Sequence, residues 1–248
     1  MASADAESKH KNDIYGDVDD PRAAKAKPAT PAATVVLLRD SDAGPEVLML
    51  RKNAKIDFGG MWVFPGGRID PEDADGDGNP ESTARNAAAR EAAEEAGIEV
   101  DPTDFVWFAH WTPPPTTPVR FATWFFAARA NDQAITIDDG EIKDHQWITP
   151  AGALAKHTNG EIDLVPPTWV TLYHLSRYQP VDALLAHLGS REARYYETRA
   201  VKRGDGVRVA LWAGDAGYED WDADLAGPRH RLVMPEDGFS FENDAVDY

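Results

Sequence analysis

The 248-residue chain contains no cysteine. That excludes disulfides, thiolate metal sites and cysteine nucleophiles together, and it suits a reducing, cytoplasmic setting. Basic residues are few relative to acidic ones: 25 Lys and Arg against 43 Asp and Glu give a formal net charge of -18. A surface of that sign repels nucleic-acid backbones and anionic membranes, so neither is expected as a partner. A phosphate-bearing substrate would be repelled too, unless a cation or local Arg and Lys side chains invert the field. No apolar run is long enough for a transmembrane helix. There is no internal repeat, and the first residues, MASADAESKHKND, lack the apolar centre of a secretory signal. The seven histidines show no H-x-x-x-H or similar spacing, which argues against zinc.

What is present is a chain with 42% hydrophobic residues, enough for one large domain or a domain with an extension. Residues 1–31 are polar, Ala/Pro-rich and aperiodic, and read as a mobile tail. A main domain is expected over 32–190 and a C-terminal extension packed on it over 191–248, frayed at its end. In the main domain, apolar β-branched runs predict strands at 33–38 and 46–50, joined by the turn cluster DSDAGP, and a short strand at 61–64 ended by Pro65-Gly66-Gly67. Arg68 to Pro80 is Asp- and Gly-rich and reads as loop. A helical pattern runs over 82–96, stopped by Gly97. Strands at 105–112 and 120–128 flank a proline-rich loop, a further strand is expected at 145–148, and helices follow near 150–156, 167–178 and 181–188. Residues 195–201 and 207–212 flank KRGDG as a hairpin, and 229–234 adds a strand. This order indicates a mixed α/β (α+β) fold, not a regular βαβ alternation.

The 82–96 helix carries the chemistry. Glu91, Glu94 and Glu95 stand at i, i+3 and i+4, so their carboxylates share one face. Like charges at that spacing cost stability, and a hard divalent cation with oxygen ligands reverses the cost. Ala88, Ala89, Ala92 and Ala96 form a separate stripe small enough for close packing on a sheet. The plain alternative is a solvent-facing Ala/Glu helix.

Context favours the first reading. Phe64-Pro65-Gly66-Gly67, followed by Arg90-Glu91-Ala92-Ala93-Glu94-Glu95-Ala96-Gly97-Ile98, resembles the Nudix box, G-x5-E-x7-R-E-U-x-E-E-x-G-U with U apolar. Every fixed position of its second half is met. The first half departs from the pattern, because 22 residues separate Gly67 from Arg90 where the short form has 13. Counting forward from Gly67 gives Asp73 for the leading Glu, and counting back from Arg90 gives Ser82, beside Glu81. Phe64 to Asp70 (FPGGRID), the lengthened loop and RFATWFFAA at 120–128 are similar to the coenzyme A diphosphatase-like branch.

The resemblance implies a Nudix-type α/β/α sandwich with a mixed sheet, plus C-terminal helices and a hairpin extension. It implies a small-molecule substrate, a nucleoside diphosphate linked to another group, with coenzyme A or acyl-coenzyme A as the first expectation. Alternatives are ADP-ribose or NADH hydrolysis, sanitising of nucleotide triphosphates and, in another class, a non-catalytic nucleotide sensor. Magnesium, with manganese as a substitute, would be held by Glu91, Glu94 and Glu95 and would acidify a bound water. Arg90 would orient a carboxylate, and Glu94, Glu95 and Glu141 complete the catalytic set, Glu141 as base or ligand. Gly66 and Gly67 let the backbone approach the helix closely. Arg51 and Arg68 flank the loop within reach of phosphate oxygens, with plain solvation as the alternative for each. Trp107, Trp111 and Trp124 are expected in core packing, with purine stacking as the alternative. Asp73-Ala-Asp75-Gly-Asp77-Gly78 has the start of a calcium loop, but the required Glu falls at Ala84. A homodimer is compatible with all of this.

Overall fold

Alternating strand patterns and one alanine-striped helix assemble here into a mixed sheet with helices against it. The computed structural model describes residues 9–16, 22, 28–76 and 78–248. The other residues of the expected tail, and Asp77 of the Asp-rich loop, lie outside the described residues. The described chain forms two units.

The larger unit comprises Ala29–Thr112 and Phe121–Tyr195. Its sheet contains β1 (Thr30–Ser41), β2 (Gly44–Lys52), β3 (Trp62–Val63), β4 (Gly66–Arg68), β5 (Val106–Thr112), β6 (Phe121–Arg129), β7 (Ile142–Ile148) and β8 (Arg194–Glu197). The strand order is β3-β2-β1-β6-β5-β8, with β4 on β1 and β7 on β2. β1 runs parallel to β6 and antiparallel to β2 and β4, so the sheet is mixed as expected. α1 (Pro80–Ala96) lies on one face. Its Ala84, Ala87, Ala88, Ala92 and Ala96 are fully buried against Ala33, Val35, Leu37, Leu48, Leu50 and Phe126. Small side chains bring the helix backbone close to the sheet, which fixes where its acidic residues emerge. Asn79 caps α1, its side chain accepting from the Glu81 N–H at 2.9 Å. Gly97 ends the helix at φ 67° in the left-handed region. α2 (Pro150–Thr158), α3 (Pro166–Leu175) and α4 (Val181–Gly189) follow in chain order. α2 packs on β2 and α3, and α4 on β5, β1 and β6. No described helix is long and apolar enough to cross a membrane.

The structure adds to and corrects the sequence reading. The strand expected at 61–64 does end before Pro65, as β3, and Gly66–Arg68 then pairs with Ala32–Thr34 as a separate strand, β4. Arg68 to Pro80 is not all loop: a single 3-10 turn forms at Pro71–Asp73, and α1 starts at Pro80. The expected strand 195–201 breaks at Thr198 into β8 and β9 (Arg199–Lys202), which belong to different sheets.

The smaller unit comprises the described residues of Met1–Pro28 together with Pro113–Arg120 and Tyr196–Tyr248. β9, β10 (Arg208–Leu211), β11 (His230–Met234) and β12 (Ser240–Asn243) form an antiparallel sheet in the order β12-β11-β10-β9. Part of the segment expected to fray is therefore strand β12. Val201, Val209, Leu211, Tyr218, Ala223 and Val233 form its core. Residues 9–16 are not mobile tail. Asn12, Asp13 and Tyr15 are buried, and Asp13 makes an ion pair with the equally buried Arg208. The Pro-rich loop contributes Thr116, whose hydroxyl donates to the Tyr15 carbonyl at 2.7 Å.

Candidate active site

The site is built where β4, the end of β2 and the C-terminal half of α1 meet. β4 is a strand of two glycines and an arginine for steric reasons. A Cβ on Gly66 would lie 2.5 Å from the Ala33 carbonyl oxygen and 2.7 Å from the Thr34 Cα. A Cβ on Gly67 would lie 2.4 Å from Glu91 Oε1. Gly66 thus allows β4 to pair with β1, and Gly67 allows the Glu91 carboxylate to rest on the strand.

Arg90 organises one side. Its Nε donates to Asp73 Oδ1 at 2.8 Å and its Nη2 to Asp73 Oδ2 at 3.0 Å, a two-pronged clamp. Nη1 donates to Glu91 Oε1 at 2.9 Å and to Glu94 Oε2 at 3.0 Å, and Nη2 also reaches the Arg68 carbonyl at 3.0 Å. Asp73 is buried at the end of the 3-10 turn, where the Asp70 N–H donates to its Oδ2 at 2.8 Å. Burial alone would raise the Asp73 carboxyl, but the Arg90 guanidinium and the Asp70 N–H hold it below its ordinary value. Counting forward from Gly67 is therefore the register that the structure uses. Counting back reaches Ser82, which has no carboxylate, and its neighbour Glu81 pairs with Arg85 at 2.7 Å instead. Of the nine extra residues, at most six lie between Asp73 and α1 and the rest lengthen α1 ahead of Arg90.

Lys52 organises the other side. Its ammonium donates to Glu95 Oε1 at 2.8 Å and stands 3.9 Å from Glu141 Oε2. The second Glu95 oxygen accepts from the Gly66 N–H at 2.9 Å. Glu95 is only 3% exposed, and burial pushes its carboxyl up although Lys52 and Gly66 pull it down. Burial also pushes Glu91 up, with the charges of Glu95 and Glu94 adding to the effect and Arg90 opposing it. Glu94 is exposed at the helix surface. Glu141 lies on a loop that is fastened at both ends. The Thr136 and Asp138 N–H groups donate to the Ala96 and Glu95 carbonyls at the end of α1, and the Asn53 N–H donates to the Glu141 carbonyl at 2.7 Å. The Asn53 side chain donates to the Gly140 carbonyl at 2.8 Å.

The structure therefore brings Arg90, Glu91, Glu94, Glu95, Glu141, Gly66 and Gly67 into one locality. Of the flanking arginines, Arg51 stands 3.9 Å from Asp144, and Arg68 lies with its guanidinium carbon 5.8 Å from the Phe121 ring centre. Trp111 is buried, and Trp107 and Trp124 pack against the core with ring centres 4.5 Å apart. The loop read as a possible calcium site has Asp73 committed to Arg90 and Ala84 buried in the core. Two residues of the site escaped the sequence reading. Lys52 was legible in principle, since it continues the core-facing alternation of Leu48 and Leu50, where a lysine demands a partner. Asn53 left no signal beyond its place in a turn.

Among the described residues, no three His, Cys, Asp or Glu side chains converge as metal ligands. The glutamates turn instead onto Arg90 and Lys52. The donor set nevertheless fits a hard divalent cation. It offers carboxylate oxygens alone, without nitrogen or sulfur. Two of its members are buried close to like charge, a cost that a cation removes.

The family model for the NUDIX domain matches residues 28–167, more than half of the chain. No curated protein matches. Among solved structures, the chain is similar to a NUDIX hydrolase from Alicyclobacillus acidocaldarius, with a TM-score of 0.60 and 22% identity over 68% of this chain and 100% of that one. It is also similar to an Ap4A hydrolase of C. elegans in a binary complex (TM-score 0.40, 22% identity, 63% of this chain and 98% of that one). A third is the NUDIX domain of Shewanella oneidensis NrtR complexed with ADP ribose (TM-score 0.45, 22% identity, 61% and 88%). The first of these likenesses shows the fold.

Proposed function

The chain belongs to the Nudix family of pyrophosphohydrolases, and from that premise we propose that it hydrolyses the diphosphate of a nucleoside diphosphate joined to a further group, with magnesium as cofactor and coenzyme A or an acyl-coenzyme A as first substrate. The observation that carries the catalytic reading over the sensor reading is the Asp73–Arg90 clamp at 2.8 and 3.0 Å. It supports Arg90 in place of the leading Glu and leaves the three helix glutamates intact beside it. The coenzyme A preference rests on FPGGRID and the lengthened loop alone. Manganese is the natural substitute metal. The absence of cysteine suits a cytoplasmic enzyme.

In this mechanism Glu91, Glu94 and Glu95 would hold a divalent ion, which when bound would supply Lewis acidity and an acidified water. Arg90, fixed by Asp73, sets the rotamers of Glu91 and Glu94. The Gly66 N–H, donating to one Glu95 oxygen at 2.9 Å, sets Glu95. Glu141, on its fastened loop, accepts the proton of the attacking water. Arg68 and Arg51 lend positive charge to a substrate that the net charge of -18 would otherwise repel.

The test is a panel of coenzyme A, ADP-ribose, NADH, dinucleoside polyphosphates and nucleotide triphosphates with magnesium. At least one compound should release a monophosphate, and Glu94→Gln should lower that rate by orders of magnitude. Undiminished turnover in Glu94→Gln removes the metal assignment, and silence across the panel returns the sensor reading.

A further inference from the structure

Lys52 is the group at the site that the mechanism uses least and the geometry constrains most. It sits on β2 in register with Leu48 and Leu50, side chains of the core beneath α1. A lysine there must bury its stem and find an anion. Its side chain is 13% exposed, and its ammonium donates to Glu95 at 2.8 Å and stands 3.9 Å from Glu141. Arg90 holds Glu91 and Glu94 in the same manner. Each of the four carboxylates thus faces a side-chain cation. The two cations differ in their anchoring. Arg90 is clamped by Asp73, which lies outside the glutamate cluster. Among the described residues, the carboxylates within ion-pair distance of Lys52 are Glu95 and Glu141, both members of the site, and a flexible four-carbon stem lets its ammonium move away.

Resting on the proposed metal site, we propose that Lys52 is a placeholder cation. It keeps Glu95 and Glu141 drawn together while no divalent ion is bound, and it yields Glu95 when one binds. Two consequences follow from electrostatics. Lys52 and the metal compete for Glu95, so removing Lys52 tightens metal binding. Without either cation, a buried carboxylate stands uncompensated, so removing Lys52 weakens the metal-free fold. A lysine that served only to pack the sheet would produce the second effect without the first.

The experiment measures Mn2+ binding to the full chain, from the electron paramagnetic resonance signal of free Mn2+, in wild type, Lys52→Met and Lys52→Arg. Thermal unfolding in EDTA is measured on the same proteins and on Lys52→Met/Glu95→Gln. Lys52→Met should bind Mn2+ several-fold more tightly than wild type, and Lys52→Arg should stay close to it. In EDTA, Lys52→Met should melt below wild type, and adding Glu95→Gln should recover most of the loss. Lys52→Gln, which keeps a donor for Glu95, replaces Lys52→Met if that variant does not fold. Mn2+ affinity in the neutral variants equal to or weaker than wild type overturns the placeholder role and leaves the metal site standing. Absence of Mn2+ binding by wild type overturns both.

Discussion

Asp73 shows how much a single residue decides at this site. Its two oxygens take the Nε and Nη2 of Arg90, leaving Nη1 for Glu91 and Glu94. Replacing the carboxylate by an amide keeps the shape and removes the charge-assisted clamp. Arg90 is then free to settle on the glutamates. Asp73→Asn should lower kcat by roughly 10- to 100-fold, as for other groups that orient metal ligands, with a modest change in KM. Steady-state kinetics at saturating magnesium measures this, and wild-type kcat would remove Asp73 from the positioning role. The sequence left this residue ambiguous because an Asp stands where the family pattern has Glu and because the box is long. The 3-10 turn at Pro71–Asp73 resolves both points. It brings the shorter side chain within reach, and the extra residues are taken up after it by a short loop and by the first turns of α1.

At the scale of elements, the contact between β4 and its neighbours separates two glycines that the motif treats alike. An alanine at Gly66 meets backbone, the Ala33 carbonyl and the Thr34 Cα. Backbone in mid-sheet moves only with its strand. An alanine at Gly67 meets the tip of the Glu91 side chain, which can rotate. Gly66→Ala should therefore destabilise by about 1–3 kcal/mol, the usual cost of overpacking. Gly67→Ala should fold with a stability close to wild type and lose activity, since Glu91 must leave its place beside Arg90. Urea unfolding paired with turnover distinguishes them, and equal loss of stability in both variants would refute the distinction. The helix itself was readable: its alanine stripe and its Gly97 stop follow from local rules, although it begins at Pro80, two residues before the helical pattern does. β4 was not, because a three-residue strand of Gly-Gly-Arg has no apolar alternation and exists only through its pairing with β1.

For the molecule as a whole, not every carboxylate adds to the acidic surface, because some are buried in neutral ion pairs. In the smaller unit Arg231 donates to both oxygens of Asp215 at 2.7 and 2.6 Å, and both side chains are almost fully buried. Burial raises the Asp215 carboxyl, but Arg231 and the His230 and Gly217 N–H groups outweigh it and hold the group below its ordinary value. A carboxyl depressed in the fold contributes stability above its unfolded pKa of about 3.9, and that contribution is lost as pH falls through the lower folded value. Asp215→Asn should cost about 3–5 kcal/mol at pH 7, because Arg231 is left buried without a counter-charge. The gap from wild type should narrow below about pH 4. Denaturant titrations at pH 7 and pH 3 measure it, and a gap that widens on acidification would contradict the depressed carboxyl.

The sequence alone determined the family box, the helix, the shared face of Glu91, Glu94 and Glu95, and most strands, because each is written in spacing over a few residues. Tertiary structure decided what those residues touch. Asp73 meets Arg90 across 17 positions and Lys52 meets Glu95 across 43. Residues 9–16 join a sheet whose Arg208 lies 195 positions from Asp13. Periodicity and capping act within one element, whereas burial of a charge forces a partner from wherever the fold supplies one.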